Sequence, residues 1–221
     1  MKTLITPKML YFGTPVVLIS SLNADGSTNL APMSSAWWLG NTAMLGLSAH
    51  SQTVANLAER PALVLNLVDP MLTGAVDRLA LLTGRPDVPA YKQARGYTFA
   101  ADKFGAAGLT PVPSRAGSGT GDGPAAVAES LIHLKGRVRR IHEIDEPRSG
   151  LRALEVAVTA TWVDEDLMMP DHPTHIDAQR WDPLIMKFTQ YFGGGSVVQP
   201  SSLAGGWGVP QQAVASSSPR S

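Results

Sequence analysis

The sequence predicts a mainly β chain with α insertions, built as a small antiparallel barrel. Three observations carry this. The stretch 16–48 breaks into short apolar runs separated by turn residues. Further on, Leu154, Val156 and Val158 alternate with Glu155, Ala157 and Thr159, the period-2 pattern of a half-buried strand. Between these regions, apolar residues switch twice to the spacing of a helix.

The elements follow in order. The β-branched run 16–22 ends at Asn23-Ala24-Asp25-Gly26, where Asp-Gly marks a hairpin because glycine accepts the positive φ such turns demand. The chain returns as a strand to Pro32, which lacks a ladder donor and so belongs at a strand end or a sheet edge. Strands at 34–39 and 43–48 flank a Gly40-Asn41 turn. A short helix over 53–60 buries Val54, Leu57 and Ala58 and stops at Pro61. The run 63–68 is a strand. A second helix over 71–83 sets Leu72, Ala75, Val76, Leu79 and Leu82 on one face, with Gly84 as its stop. Loops and short helices continue to Ser114, and 114–123, poor in apolar residues, is expected to be mobile. Two long antiparallel strands, 131–144 and 151–163, turn around 146–150. Residues 1–195 are expected to form one domain with a helical insertion at about 71–123. The Gly/Ser/Pro-rich tail at 196–221 is flexible or orders on a partner.

Composition narrows the function classes. Of 221 residues, 44% are apolar, enough to offset chain entropy in a folded core. Eighteen basic residues balance 18 acidic ones, so the charge footprint of a nucleic-acid binder is missing. Charged residues make up only 16%, against a usual ~25%, which points to surface covered by a second subunit. The absence of cysteine removes disulfides, thiolate metal sites, iron–sulfur clusters and Cys nucleophiles. Pro7 and Lys8 stand where a signal peptide needs an apolar run, and no window approaches ~20 apolar residues. The expectation is a soluble cytoplasmic protein with neither membrane nor nucleic-acid partners.

Two segments have the residue types of a ligand site. In Ser48-Ala49-His50-Ser51-Gln52-Thr53-Val54-Ala55-Asn56 a strand gives way to a helix start, whose free N–H groups accept phosphate without many basic residues. Ser51 and Thr53 hydroxyls add donors, and His50 adds a donor or a cation; Ser51 would serve equally as a plain helix cap. In Asn29-Leu30-Ala31-Pro32-Met33-Ser34-Ser35 a proline-interrupted strand leaves backbone groups free to face a planar ligand, or is simply an edge strand.

Residues 15–34 and 48–57, the strand 62–67, Asp102-Lys103-Phe104-Gly105-Ala106-Ala107-Gly108-Leu109-Thr110 and Ser130-Leu131-Ile132-His133-Leu134-Lys135-Gly136-Arg137-Val138 together resemble the flavin reductase-like family of FMN-binding split barrels. The likeness runs over roughly 10–195. It implies a six-stranded antiparallel Greek-key split β-barrel, a homodimer with FMN near the subunit interface, and NADH or NADPH as transient hydride donor. By this resemblance Asn29, Leu30, Ala31, Pro32 and Ser34 would line the isoalloxazine ring. Ser48, Ala49, His50, Ser51 and Thr53 would hold the phosphate, with Asn56 nearby. Members of the family often carry Arg or Lys where this chain has His50 or Gln52, so the phosphate loop reads as weakly cationic. If His50 holds the phosphate, affinity for FMN falls as pH rises through neutrality. The implied activity is NAD(P)H:flavin reductase chemistry feeding a partner such as a flavin-dependent monooxygenase. The alternatives are a tailoring enzyme with its own small-molecule substrate and an electron carrier with little turnover.

Other residues offer less. His133 lies in a family-like strand as a core residue or an active-site neighbour, and Trp37-Trp38 places one indole on each sheet face. His172-Pro173-Thr174-His175 with Asp171 and Asp177 has metal-ligand types on no fixed face, so no metal is expected. Asp164-Glu165-Asp166 reads as a solvated turn. Residues 180–192 either close over the site or strap the tail to the barrel. The glycines at 117, 119, 121 and 123 do not fit a dinucleotide fingerprint.

Overall fold

The computed structural model describes residues 1–114, 123–145, 150–199, 201–206 and 208. The expected turn at 146–149, most of the glycine-rich segment at 114–123 and the tail at 209–221 lie outside the described residues.

Seven antiparallel strands hydrogen-bond into one sheet: β1 (Val17–Leu22), β2 (Thr28–Met33), β3 (Ala36–Leu39), β4 (Thr42–Ser48), β5 (Ala62–Leu67), β6 (Ile132–Ile144) and β7 (Leu151–Val163), in the order β2-β1-β5-β6-β7-β4-β3. The class is the split barrel expected, with one strand more than six. The Gly40-Asn41 reversal folds its stretch back on itself, so it contributes both the short edge strand β3 and β4. The β1–β2 hairpin closes as its sequence dictates, with Asn23 N–H donating to Ser27 C=O at 2.8 Å and Gly26 at φ +84°. Pro32 sits on the edge strand β2, where a missing N–H is tolerated.

Period-2 alternation divides the apolar residues between two cores. Val17, Ile19, Leu45, Leu47, Leu63, Leu65, Ile132, Leu134, Leu154 and Val156 fill the barrel interior. Leu18 and Leu30 face outward from β1 and β2 and are roofed by Val76 and Leu79 of helix α2 (Thr73–Ala80) and by Phe104 and Ala107 of helix α3 (Lys103–Ala107). Each large buried apolar side chain contributes ~1.5–3 kcal/mol, which fastens the helical segment to the barrel wall.

Helix α1 (Gln52–Glu59) follows β4 directly. Ser51 is its N-cap, with Oγ accepting from Val54 N–H at 3.1 Å. Val54 and Leu57 are buried as expected, but Ala58 is exposed. The inward face is half polar instead, because Thr53 and Asn56 are drawn into hydrogen bonds beneath it. Helix α2 ends at Ala80 and not at 83: Leu82–Thr83 leaves the helix to pair in parallel with Thr98–Phe99. Gly84 is therefore no helix stop. The C-terminal segment straps down, Ile185–Lys187 pairing with both Thr14–Pro15 and Gln190–Phe192, and Trp181 packs against the barrel core. His172–Ile176 is a strand paired with Met168–Met169, and Asp164 caps a single 3₁₀ turn. Among the described residues no helix is long and apolar enough to cross a membrane.

Candidate functional site

A cavity of about 290 Å³ opens where β2, the β4–α1 turn and the helical segment 79–103 meet. Ala31, Pro32 and Met33 form one wall, a flat and partly apolar strand edge. Ser48, Ser51, Gln52 and Thr53 form a second, so the two segments singled out in the sequence share one space. The third wall comes from the segment after β5: Leu79 and Leu82 are apolar, Tyr91 and Tyr97 are aromatic, and Lys92, Arg95 and Lys103 are cationic.

A buried polar network, of which Thr53 and Gln52 line the cavity, lies behind these walls. Asn29 is 2% exposed and donates through Nδ2 to Thr53 Oγ1 at 3.2 Å and to Ser21 Oγ at 3.4 Å. Ser21 Oγ also accepts from Asn56 Nδ2 at 3.1 Å, and Asn56 bonds Asn23 at 2.9 Å and Gln52 at 2.7 Å. Strands β1 and β2 are thereby tied to helix α1. Asn29 Oδ1 is buried and has no partner among the described residues. A Cβ on Gly84 would lie 2.5 Å from that oxygen, so only glycine lets the third wall approach this closely. Thr53 Oγ1 accepts from Asn29, which leaves the hydroxyl's own proton to be donated elsewhere.

The cationic wall was not legible in the motif. Lys103 is 3% exposed and lines the cavity. Burial, with a smaller contribution from Lys92, brings its ammonium down to about 8 from its usual 10.5. Lys92 is itself lowered by burial and then by Arg85. Arg85 donates to His50 C=O at 3.2 Å, joining the segment to the β4–α1 turn. The available signal was a lysine on the same inward face as Phe104 and Ala107 of α3.

The other expected site residues are distributed as follows. Leu30 is fully buried in the outer core and Asn56 is engaged beneath α1. Ala49 donates its N–H to Gly150 C=O at 2.7 Å. His50 is exposed, with its ring beside Gly150, and neither it, Ala49 nor Ser34 is among the cavity's lining residues. Trp38 packs against the barrel core while Trp37 is 55% exposed. His133 Nε2 lies 2.8 Å from Val127 C=O and lines a different cavity of about 460 Å³ with Trp162 and Leu131; the two cavities share no lining residue. His172 and His175 meet edge to face at 5.9 Å, and among the described residues no three metal-ligating side chains converge.

The wall fits an anionic planar ligand: a flat strand edge for a ring, and the Lys103 ammonium, a hydroxyl and helix-start donors for an anion. The chain is 34% identical to YdfE of Bacillus subtilis (strain 168), an uncharacterised protein, over 194 residues, covering 88% of this chain and 90% of that one. Its fold resembles flavoredoxin of Desulfovibrio vulgaris (Miyazaki F), at 20% identity and TM-score 0.71 over 93% of this chain and 100% of that one. It also resembles nitrilotriacetate monooxygenase component B from Bacillus cereus, at 18% identity and TM-score 0.67 over 86% and 88% of the two chains. Residues 9–194 match the flavin reductase like domain, and the chain belongs to that family as an oxidoreductase of the flavin reductase type.

Proposed function

We propose that the chain is an FMN-dependent oxidoreductase that draws on NADH or NADPH and supplies reduced flavin or electrons to a partner enzyme. The observation that carries this is the convergence of the Ala31-Pro32-Met33 edge, the β4–α1 turn and the cationic wall on one cavity. Bound flavin would supply the two-electron chemistry, accepting hydride from the nicotinamide and passing it on. The chain's own residues bind and orient. The β2 edge at Ala31-Pro32-Met33 provides a flat wall in which Pro32 has no N–H to donate. Ser48, Ser51 and Thr53 add small polar groups at the helix start, and the basic side chains neutralise the ligand's negative charge.

Trp37 and Leu39, both exposed on β3, provide an apolar face for the homodimer that this reading includes. A flavin-dependent monooxygenase is the partner class that the likeness to a monooxygenase component B favours. A small-molecule substrate of the chain's own is the second reading, favoured by Tyr91 and Tyr97 of the inserted segment walling the cavity.

Purified protein mixed with FMN and either nicotinamide nucleotide under air should oxidise the nucleotide rapidly and continuously. Oxidation limited to one equivalent of bound flavin would instead favour a dedicated substrate. Absence of flavin binding would overturn both.

A further inference from the structure

Period-2 alternation sends Ile132 and Leu134 of β6 into the barrel interior and His133 and Lys135 to the outer face of the sheet. There His133 stands directly opposite Trp162 of β7. The cavity of about 460 Å³ lies over this pair, walled by Val112, Pro113, Leu131 and Val163. The covering segment is held in place. Val127 N–H donates to Asn66 Oδ1 at 2.9 Å, and Val127 C=O lies 2.8 Å from His133 Nε2. A recess of about 10 Å³ meets the cavity at His133 and Trp162, with buried Val64 and Ala126 at its back and Lys135 and Ser114 at its sides. Such a recess holds about one water-sized group. Ser114 is 9% exposed, and its Oγ has no hydrogen-bond partner among the described residues. Ser130, on the larger cavity, is by contrast satisfied, donating to Leu67 C=O at 2.6 Å. At the outer wall stands exposed Asp164, with Oδ1 accepting from Asp166 N–H at 3.0 Å.

We propose that this is a second ligand site, distinct from the cavity between β2 and α1, and that it takes a small aromatic carboxylate. The ring lies against Trp162 and His133 between the apolar walls. The carboxylate points into the recess, where the Ser114 hydroxyl and the Lys135 ammonium both donate to oxygen. Asp164 repels the acid end and so favours this orientation over the reverse. The larger cavity falls within the range of roughly 300–1,000 Å³ typical of small-molecule sites. It shares no lining residue with the other cavity, so a molecule bound here displaces nothing bound there. The inference does not depend on flavin binding.

The test is a ligand-observed NMR titration of the full chain with benzoate, and with benzamide, which keeps the shape without the charge. Benzoate should bind at roughly 0.1–1 mM and benzamide about tenfold more weakly, the difference of one charge-assisted contact. Lys135→Met should weaken benzoate by about tenfold and leave benzamide within about twofold. Lys135→Gln should do the same, which guards against a packing effect of the methionine. Ser114→Ala should weaken both ligands by about three- to tenfold, because each presents an oxygen to the hydroxyl. Saturating FMN should leave benzoate affinity within about twofold. No benzoate binding at about 10 mM, or binding unchanged in both Lys135 variants, overturns the proposal. Competition between benzoate and FMN overturns it as well, since it places the acid in the other cavity. Failure of FMN itself to bind counts against the flavin reading alone and leaves the benzoate titrations decisive.

Discussion

Two buried asparagines on strands of the same sheet separate the architecture of this molecule from its chemistry. Asn66 on β5 is fully buried and fully engaged: Nδ2 donates to Leu18 C=O at 2.9 Å and to Ser20 Oγ at 3.0 Å, and Oδ1 accepts from Val127 N–H at 2.9 Å. It fastens the segment around Val127 to the sheet. Asn29 on β2 is almost as buried, yet its Oδ1 has no partner among the described residues and lies against Gly84 of the cavity wall. Interiors rarely leave polar groups unpaired. A satisfied amide reads as structure, whereas an unsatisfied one set against a cavity wall is not accounted for by packing alone.

The contrast can be broken most severely at Asn66. Asn66→Ala strands the Val127 N–H and the Leu18 C=O in a dry interior, at ~1–3 kcal/mol each. The expected loss is about 4 kcal/mol by denaturant unfolding, and a loss under 1 kcal/mol would show that water reaches the site.

Lys103 should behave in the opposite sense. Its ammonium is lowered to about 8 in the folded chain from about 10.5 unfolded, so between those values the unfolded chain binds the extra proton and stability rises with pH. The full cost of burial, on the order of 3 kcal/mol, applies below pH 8. Tyr91, Tyr97, Lys92 and Arg95 face the same space, so the measurement is the difference from Lys103→Met, in which their contributions cancel. Without flavin, the Met variant should be more stable than the native chain at pH 7, and the gap should close towards pH 10.5. A gap independent of pH would mean the ammonium is solvated.

The smallest expected effect lies at Gly84. Gly84→Ala drives a methyl to 2.5 Å from Asn29 Oδ1 and 3.1 Å from Gln52 Cγ, forcing the third wall outward. Overpacking of this kind costs ~1–3 kcal/mol, and here the site as well as the fold should register it, as weaker flavin binding. A variant that binds flavin as tightly as the native chain would show that the wall moves freely.

Much of this was legible in the chain alone. The β1–β2 hairpin, the edge position of Pro32, the long strands β6 and β7 and the cap at Ser51 each follow from interactions within a few residues. Both segments that meet at the cavity were recognisable for the same reason. Helix α1 was misjudged at Ala58 because its inward face answers to Ser21, Asn23 and Asn29, which lie 24 to 35 positions away. Helix α2 was drawn three residues too long, because Leu82 fits its apolar stripe but is claimed by a parallel pairing with Thr98.

The family and the split-barrel class were determined by the sequence itself, through period-2 alternation, turn chemistry and the order of its motifs. Where the charge sits was decided only by the tertiary structure. Equal numbers of acidic and basic residues suggested a site held by hydroxyls and a helix start, with no basic cluster. Folding brings Lys92, Arg95 and Lys103 to residues some 40 to 55 positions earlier in the chain, because the apolar faces of α2 and α3 must cover Leu18 and Leu30. Net charge is a sum over the whole chain and keeps no record of position. A cavity's potential depends on distance and burial, and packing of the inserted segment against the barrel sets both.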